Sequence, residues 1–125
     1  MRAGVTVGLV LVGLLHLLPA VGMLGATRLQ QLYGLDVSEP SLQLLMRHRA
    51  LLFGLLGVGL LLAAFKPAWH GGALLVATVS VLGFLVLGAG EPLNAAVQRV
   101  WWADVAALAV LGLCGLAWRF SPSPT

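Results

Sequence analysis

Four long apolar stretches, separated by short polar segments, constrain this chain more than any other feature of its sequence. They cover about residues 3–26, 40–65, 73–90 and 93–119, and each is close to the roughly 20 apolar residues with which an α-helix crosses a bilayer. Hydrophobic residues make up 60% of the 125 residues and charged residues only 9%, whereas soluble domains have about 25% charged residues. The sequence therefore predicts an integral membrane protein.

The expected fold is an all-α, four-helix transmembrane bundle with up-down-up-down topology, forming one membrane domain over residues 1–125. In hydrocarbon every backbone polar group has to be satisfied within its own segment, which favours helices, and short connections favour antiparallel neighbours. The first stretch follows Arg2 and ends in Leu24-Gly25-Ala26, as a signal peptide can. Its length and its internal His16 favour a retained membrane helix instead.

Local signals predict several helix boundaries. Ser38-Glu39-Pro40 combines a capping hydroxyl, an acid near the positive end of the helix dipole and a proline in the first turn. The second helix is therefore expected to begin near Pro40. A tight turn is predicted for residues 66–72, and Pro19 is expected to kink the first helix.

Ionisable residues within the apolar segments are the main functional candidates, because such groups are costly at membrane depth and persist where they are paired, solvated or used. The second segment contains Arg47, His48 and Arg49, the fourth contains Asp104 and the first contains His16. At a rise of about 1.5 Å per residue, Arg49, Asp104 and His16 lie about 12–15 Å from the same membrane face. We expect one polar layer built from three helices.

An arginine and a carboxylate at equal depth are expected to form a bidentate pair, because each alone is far more costly. The sequence predicts that Arg47 or Arg49 pairs with Asp104, unless both arginines extend to the lipid headgroups. His16 either hydrogen-bonds to this pair or is a satisfied core histidine. Ser80 is expected to bond back to its own helix. Secondary candidates on the same side of the membrane are Tyr33, Asn94 and Arg99.

Other classes of site have little support. The three histidines lie in three different places, no metal-ligand or nucleotide-binding motif occurs, and the single cysteine, Cys114, lies in an apolar run. The net charge of +3 comes from seven scattered lysines and arginines, so no basic face exists for nucleic acid. We predict no catalytic residue, no metal ion and no nucleic-acid partner.

The distribution of charge predicts the orientation. All four acids lie in or near the connections after the first and third segments, whereas the opposite side contains Arg2, Lys66 and Arg119 without any acid. Cytoplasmic loops are enriched in lysine and arginine. We therefore expect both termini in the cytoplasm and the polar layer in the outer leaflet.

Several segments together resemble a known family. They are His16-Leu17-x-Pro19, Leu32-Tyr33-Gly34, Leu44-x-Met46-Arg47-His48-Arg49-Ala50-x-x-Phe53-Gly54, Ala63-Ala64-Phe65-x-Pro67 and Arg99-Val100-x-x-Ala103-Asp104. This set is similar to a family of small four-helix proteobacterial proteins for which no activity is established, and the resemblance implies a location in the bacterial inner membrane. Some members carry the name phosphopantetheine adenylyltransferase, but that soluble α/β enzyme has a Thr/His-x-Gly-His signature that this chain lacks. More loosely, the layout is similar to DoxX-like membrane proteins, some of which accompany quinone-linked oxidoreductases.

These patterns favour a non-enzymatic protein of the lipid bilayer. Its Arg/His/Asp cluster is expected to bind either a small amphiphile or a partner membrane protein, and that partner can be a second copy of the same chain. Two alternatives stay open. One is a membrane subunit of an oxidoreductase in which the cluster holds a quinone, the only cofactor with any support. The other is a proton-coupled small transporter with Asp104 and His16 as the relay, which requires an unpaired Asp104 that faces water.

Overall fold

The computed structural model describes residues 2–19, 26–34 and 39–120, and within these ranges the chain is helical with no strand. The α-helices are α1 (Arg2–Leu17), α2 (Ala26–Tyr33), α3 (Pro40–Ala64), α4 (His70–Gly88) and α5 (Ala95–Arg119), with a 3₁₀ turn at Pro67–Trp69 before α4. The predicted all-α fold is confirmed.

Three helical segments of the described chain are long and apolar enough to cross a membrane, namely Pro40–Ala64, Pro67–Gly88 and Ala95–Arg119. Large apolar side chains are exposed along all three, as a lipid-facing surface requires. The protein is therefore a small integral membrane protein. The apolar part of α1, Ala3–Leu17, is shorter. Residues 20–25 of the expected first span lie outside the described residues, so a count of four spans stays a prediction.

Contacts between α1 and α3 show that these two helices are antiparallel. The Thr6 hydroxyl donates a hydrogen bond of 2.9 Å to the carbonyl oxygen of Ala64, and Gly13 lies against Gly57. The same Ala64 carbonyl accepts a second hydrogen bond, of 3.0 Å, from Nε2 of the buried His70. One orphan carbonyl at the end of α3 thus joins α1, α3 and α4.

The pair α4 and α5 is antiparallel as well. The Trp101 indole N–H donates to the carbonyl oxygen of Leu85 at 3.2 Å, near the end of α4 and the start of α5. At the other end, the Trp118 ring lies so close to Gly71 that an added Cβ would be 2.6 Å from it. The described α1, α3, α4 and α5 therefore alternate in direction, and α1 packs against each of the other three.

The core is made of one apolar stripe from each of these helices. Its members recur every three or four residues, the spacing at which helical side chains share a face. They are Val5, Leu9 and Val12 of α1, Leu60 and Ala64 of α3, Leu74, Ala77, Val81 and Leu85 of α4, and Ala107, Leu111 and Cys114 of α5. Eight of its twelve members are leucine or valine, and the other four are the smaller Ala64, Ala77, Ala107 and Cys114.

Three local predictions are corrected in detail. Helix α3 begins at Pro40 as expected, but its cap is the Glu39 carboxylate, which accepts hydrogen bonds from the backbone N–H groups of Ser41 and Leu42; Ser38 lies outside the described residues. Pro19 follows the end of α1 in a 3₁₀ turn and does not kink a continuing α-helix. Helix α4 begins at His70, inside the predicted turn, and Gly71 in its first turn leaves room for the Trp118 ring.

Candidate functional site

A cavity of about 250 Å³ lies at the end of the bundle where α1 ends and α3 and α5 begin. Every described α-helix contributes to its wall. The lining residues are Leu15, His16, Leu18, Pro19, Tyr33, Arg49, Phe53, Phe84, Ala96, Arg99, Val100, Ala103 and Asp104. The wall is mostly apolar with a few polar groups, which is the composition typical of small-molecule sites.

The structure brings some of the predicted polar residues together and separates others. His16, Arg49 and Asp104 line the cavity, as do the secondary candidates Tyr33 and Arg99. Arg47 and His48, in the same turn of α3 as Arg49, are exposed and do not line it. Successive helical residues point about 100° apart, so the three cannot share one face.

The guanidinium of Arg49 is held by two aromatic residues. Its Nη1 donates a hydrogen bond of 3.0 Å to the hydroxyl of the buried Tyr33. Its Cζ lies 4.5 Å from the centroid of the Phe53 ring, one helical turn along α3. Cation–π contacts of this kind gain strength when they are desolvated. These contacts hold Arg49 in the wall of the cavity.

The expected bidentate pair between an arginine and Asp104 is not formed. Arg49 and Asp104 line the same cavity and interact electrostatically, but no ion pair joins them among the described residues. Tyr33 and Phe53 hold the guanidinium instead, through the contacts given above. Within the described chain, the Asp104 carboxylate accepts no hydrogen bond from another residue.

The Asp104 oxygens are nevertheless not sealed inside the protein. No fully buried side-chain nitrogen or oxygen of the described residues lacks a hydrogen-bond partner. Since the Asp104 carboxylate has no such partner, its oxygens are accessible, and Asp104 forms part of the cavity wall. Leu18 and Arg99 are exposed and also form part of the cavity wall, so the cavity opens to the protein surface beside them.

His16 joins α1 to α4, and among the described residues no hydrogen bond links it to the Asp104 carboxylate. Only 4% of the residue is exposed. Its Nδ1 lies 2.8 Å from the carbonyl oxygen of Val12, and because a carbonyl only accepts, this nitrogen is the donor. In the neutral ring Nε2 is then an acceptor, and the Ser80 hydroxyl donates to it at 2.9 Å. The prediction that Ser80 bonds back to its own helix is wrong, since a buried acceptor lies within its reach.

Tyr33 is positioned by the loop geometry of its neighbours. Gly34 ends α2 with a φ of +65°, which favours glycine, and its N–H returns to the carbonyl of Gln30 at 2.7 Å. The Asn94 amide donates to the Tyr33 carbonyl oxygen at 2.7 Å. The Asn94 Oδ1 also caps α5 by accepting from the Val97 N–H. One asparagine thus links the start of α5 to the residue that holds Arg49.

Phe53 and Phe84 line the cavity but were not among the site residues predicted from the sequence, where Phe53 appears only as part of the family resemblance. Helical spacing is the signal that could have identified them. Phe53 lies four residues after Arg49, and Phe84 lies four residues after Ser80. Each phenylalanine is therefore on the same helix face as a polar residue that makes a hydrogen bond at this end of the bundle. On α5 the lining residues follow the same rule, at positions 96, 99, 100, 103 and 104.

No group of three or more histidine, cysteine or acidic side chains in the described ranges is placed to hold a metal ion. No protein-family model, curated protein or solved structure matches this chain.

Proposed function

We propose that this protein binds a small amphiphile in the cavity, and that the headgroup of this amphiphile both donates and accepts hydrogen bonds. The observation that carries the proposal is the pair of unsatisfied groups in one cavity. Arg49 uses one of its five N–H donors on Tyr33, and the Asp104 carboxylate has no donor among the described residues. A ligand with an acceptor for Arg49 and a donor for Asp104 would complete both.

The size and lining of the cavity favour a small molecule over a protein partner. About 250 Å³ is close to the lower end of ordinary ligand pockets, roughly 300 Å³. Phe53, Phe84 and Val100 supply apolar walls for the part of the ligand that follows the headgroup. An amphiphile from the bilayer fits this combination, because it presents a polar group and an apolar chain at the same site.

A quinone headgroup is a second candidate for the same cavity. The observation that favours it is the aromatic lining formed by Tyr33, Phe53 and Phe84, which suits a flat ring. The two candidates differ in hydrogen-bonding chemistry. A quinone carbonyl only accepts, so it would bond to Arg49 and leave Asp104 without a donor.

For its setting, we propose the bacterial inner membrane with both termini in the cytoplasm. Lys66 and Arg119 lie at the end of the bundle opposite the cavity, since Trp118 packs against Gly71 there. Lysine and arginine favour the cytoplasmic side. The cavity would then lie in the outer leaflet.

The proposal is tested by ligand retention. Native mass spectrometry on the protein purified in mild detergent, after incubation with a bacterial lipid extract, should show a bound amphiphile. Arg49→Gln and Asp104→Asn should each weaken its retention tenfold or more, because hydrogen bonds to charged groups contribute about 1.5–3 kcal/mol. Arg47→Gln and His48→Gln are matched controls, since both residues lie outside the cavity, and they should retain the ligand.

Decylubiquinone serves as the probe for the second candidate. Binding of this quinone that depends on Arg49 but not on Asp104 would favour the quinone and contradict the donor–acceptor headgroup. Equal retention of both the amphiphile and decylubiquinone by cavity variants and controls would overturn both candidates.

A further inference from the structure

A second, apolar groove of about 490 Å³ lies between α3 and α4 at the end of the bundle opposite the polar cavity. Small residues from both helices form much of its floor. They include Gly59 and Ala63 of α3 and Gly72 and Ala73 of α4. A Cβ added at Gly59 or at Gly72 would meet no atom within 4 Å. The groove is therefore open to the space that the bilayer occupies.

The mouth of the groove, next to the turn between α3 and α4, has the chemistry of a phosphate site. Trp69 lines the groove and is 51% exposed, and its indole N–H has no hydrogen-bond partner among the described residues. The Lys66 ammonium lies 4.7 Å from the centroid of the Trp69 ring. No acid occurs between Glu39 and Glu91, so no carboxylate of these two helices competes for Lys66.

The length of the groove distinguishes between possible occupants. On α3 it extends from Ala63, in the last turn, back to Leu55, which is about 12 Å along the helix axis. One leaflet of the hydrocarbon core is about 15 Å deep, half of the roughly 30 Å that a membrane helix crosses. The length of the groove thus matches one acyl chain that begins at the interface. The groove is too short to hold a partner helix that crosses the whole membrane.

We propose that this groove binds one acyl chain of an anionic phospholipid whose phosphate is held by Lys66 and the Trp69 indole N–H. Lysine binds phosphate as a compact point charge, and basic sites between membrane helices are suited to anionic headgroups. The site is separate from the polar cavity, and its occupancy does not depend on the function proposed above.

Headgroup recognition is tested with two lipids that have the same acyl chains, phosphatidylglycerol and phosphatidylcholine, titrated into the purified full-length protein and followed by native mass spectrometry. The native protein should bind phosphatidylglycerol about fivefold more tightly. Lys66→Gln should remove this preference and Lys66→Arg should keep it. Arg119→Gln is the matched control, because it removes a cation from the same end of the bundle but not from the groove. Equal binding of both lipids by the native protein, or equal losses in Lys66→Gln and Arg119→Gln, would overturn the headgroup site.

The acyl-chain site is tested by filling the groove. Gly59→Leu should weaken binding of both lipids about tenfold. Gly83→Leu is its control: Gly83 is eleven residues after Gly72 on the same face of α4, lies outside the groove and also has nothing within 4 Å of an added Cβ. Equal lipid binding in both variants would contradict the proposal. A second outcome would also contradict it: the native protein is a dimer in detergent, and Gly59→Leu converts it to a monomer that still binds lipid. The groove would then be an interface between copies.

Discussion

His16 on α1 and Ser80 on α4 form a hydrogen bond of 2.9 Å between the two helices, although 64 residues separate them in the chain. Ser80→Ala removes the donor and leaves a buried ring nitrogen unpaired. Interhelical hydrogen bonds in membranes contribute about 0.6–1.7 kcal/mol, and we expect a loss of stability in this range. Thermal unfolding in detergent measures it, with Ser80→Thr as the variant that keeps the hydroxyl. Equal stability of the alanine and threonine variants would show that the contact contributes nothing.

Asp104→Asn is expected to keep or raise stability while it weakens ligand retention. The carboxylate has no hydrogen-bond donor among the described residues, and a charge in apolar surroundings is costly. Removing the charge removes this cost, so the free energy of unfolding should stay the same or rise. Thermal unfolding of the ligand-free protein checks the direction. A lower stability that is restored in the double variant with Arg49→Gln would instead indicate a direct ion pair.

Gly57→Ala is expected to destabilise the contact between α1 and α3. The added Cβ would lie 2.9 Å from the carbonyl oxygen of Gly13 and 2.9 Å from Cγ of Leu17. Overpacking costs about 1–3 kcal/mol, which exceeds the gain of about 0.5–1 kcal/mol from replacing a helical glycine. Gly59→Ala, two positions further along α3 but in open space, should show only the gain in stability from replacing a helical glycine. A melting temperature for Gly57→Ala at or above that of Gly59→Ala would contradict the close approach.

The start of α3 should lose protection at low pH. Hydrogen bonds from the backbone N–H groups of Leu42 and Ser41 hold the pKa of the Glu39 carboxyl below its usual range. A lowered folded-state pKa means that this stabilisation is present above the unfolded pKa and is lost as pH falls through the folded one. Hydrogen exchange of the first turn of α3, compared between the native protein and Glu39→Gln, should show extra protection in the native protein at neutral pH. The difference should vanish in acid.

Glu91→Gln is the control for that experiment, because Glu91 is also an exposed acid near a helix boundary but caps no described helix. It should exchange like the native protein at every pH. Equal protection of the native protein and Glu39→Gln at neutral pH would show that the charge has no role in the cap.

The orientation predicts the behaviour of C-terminal fusions. With both termini in the cytoplasm, an alkaline phosphatase fused after Thr125 should be inactive and a green fluorescent protein fusion should be fluorescent. Removing the positive charges of Lys66 and Arg119 together should weaken this bias. If the phosphatase fused to the native chain is active, the predicted orientation is wrong and the polar cavity lies in the inner leaflet.

The sequence by itself determined the class of fold and the faces of the helices. Low charge and long apolar segments require helices in a membrane, and Glu39-Pro40 marks the start of α3 by local chemistry alone. A rise of about 1.5 Å per residue predicted that His16, Arg49 and Asp104 lie at similar depth, and these three residues line one cavity.

Only the tertiary structure decided which partner each polar group meets. Depth and face leave several acceptors within reach of Arg49, and sequence reasoning chose the opposite charge, Asp104. The folded chain brings Tyr33 beside Arg49, because Asn94 holds the end of α2 against the start of α5, and it brings Ser80 beside His16 across the core. Pairing between distant helices depends on how their small residues let them approach. Helical periodicity specifies the direction in which a side chain points, but not what lies there.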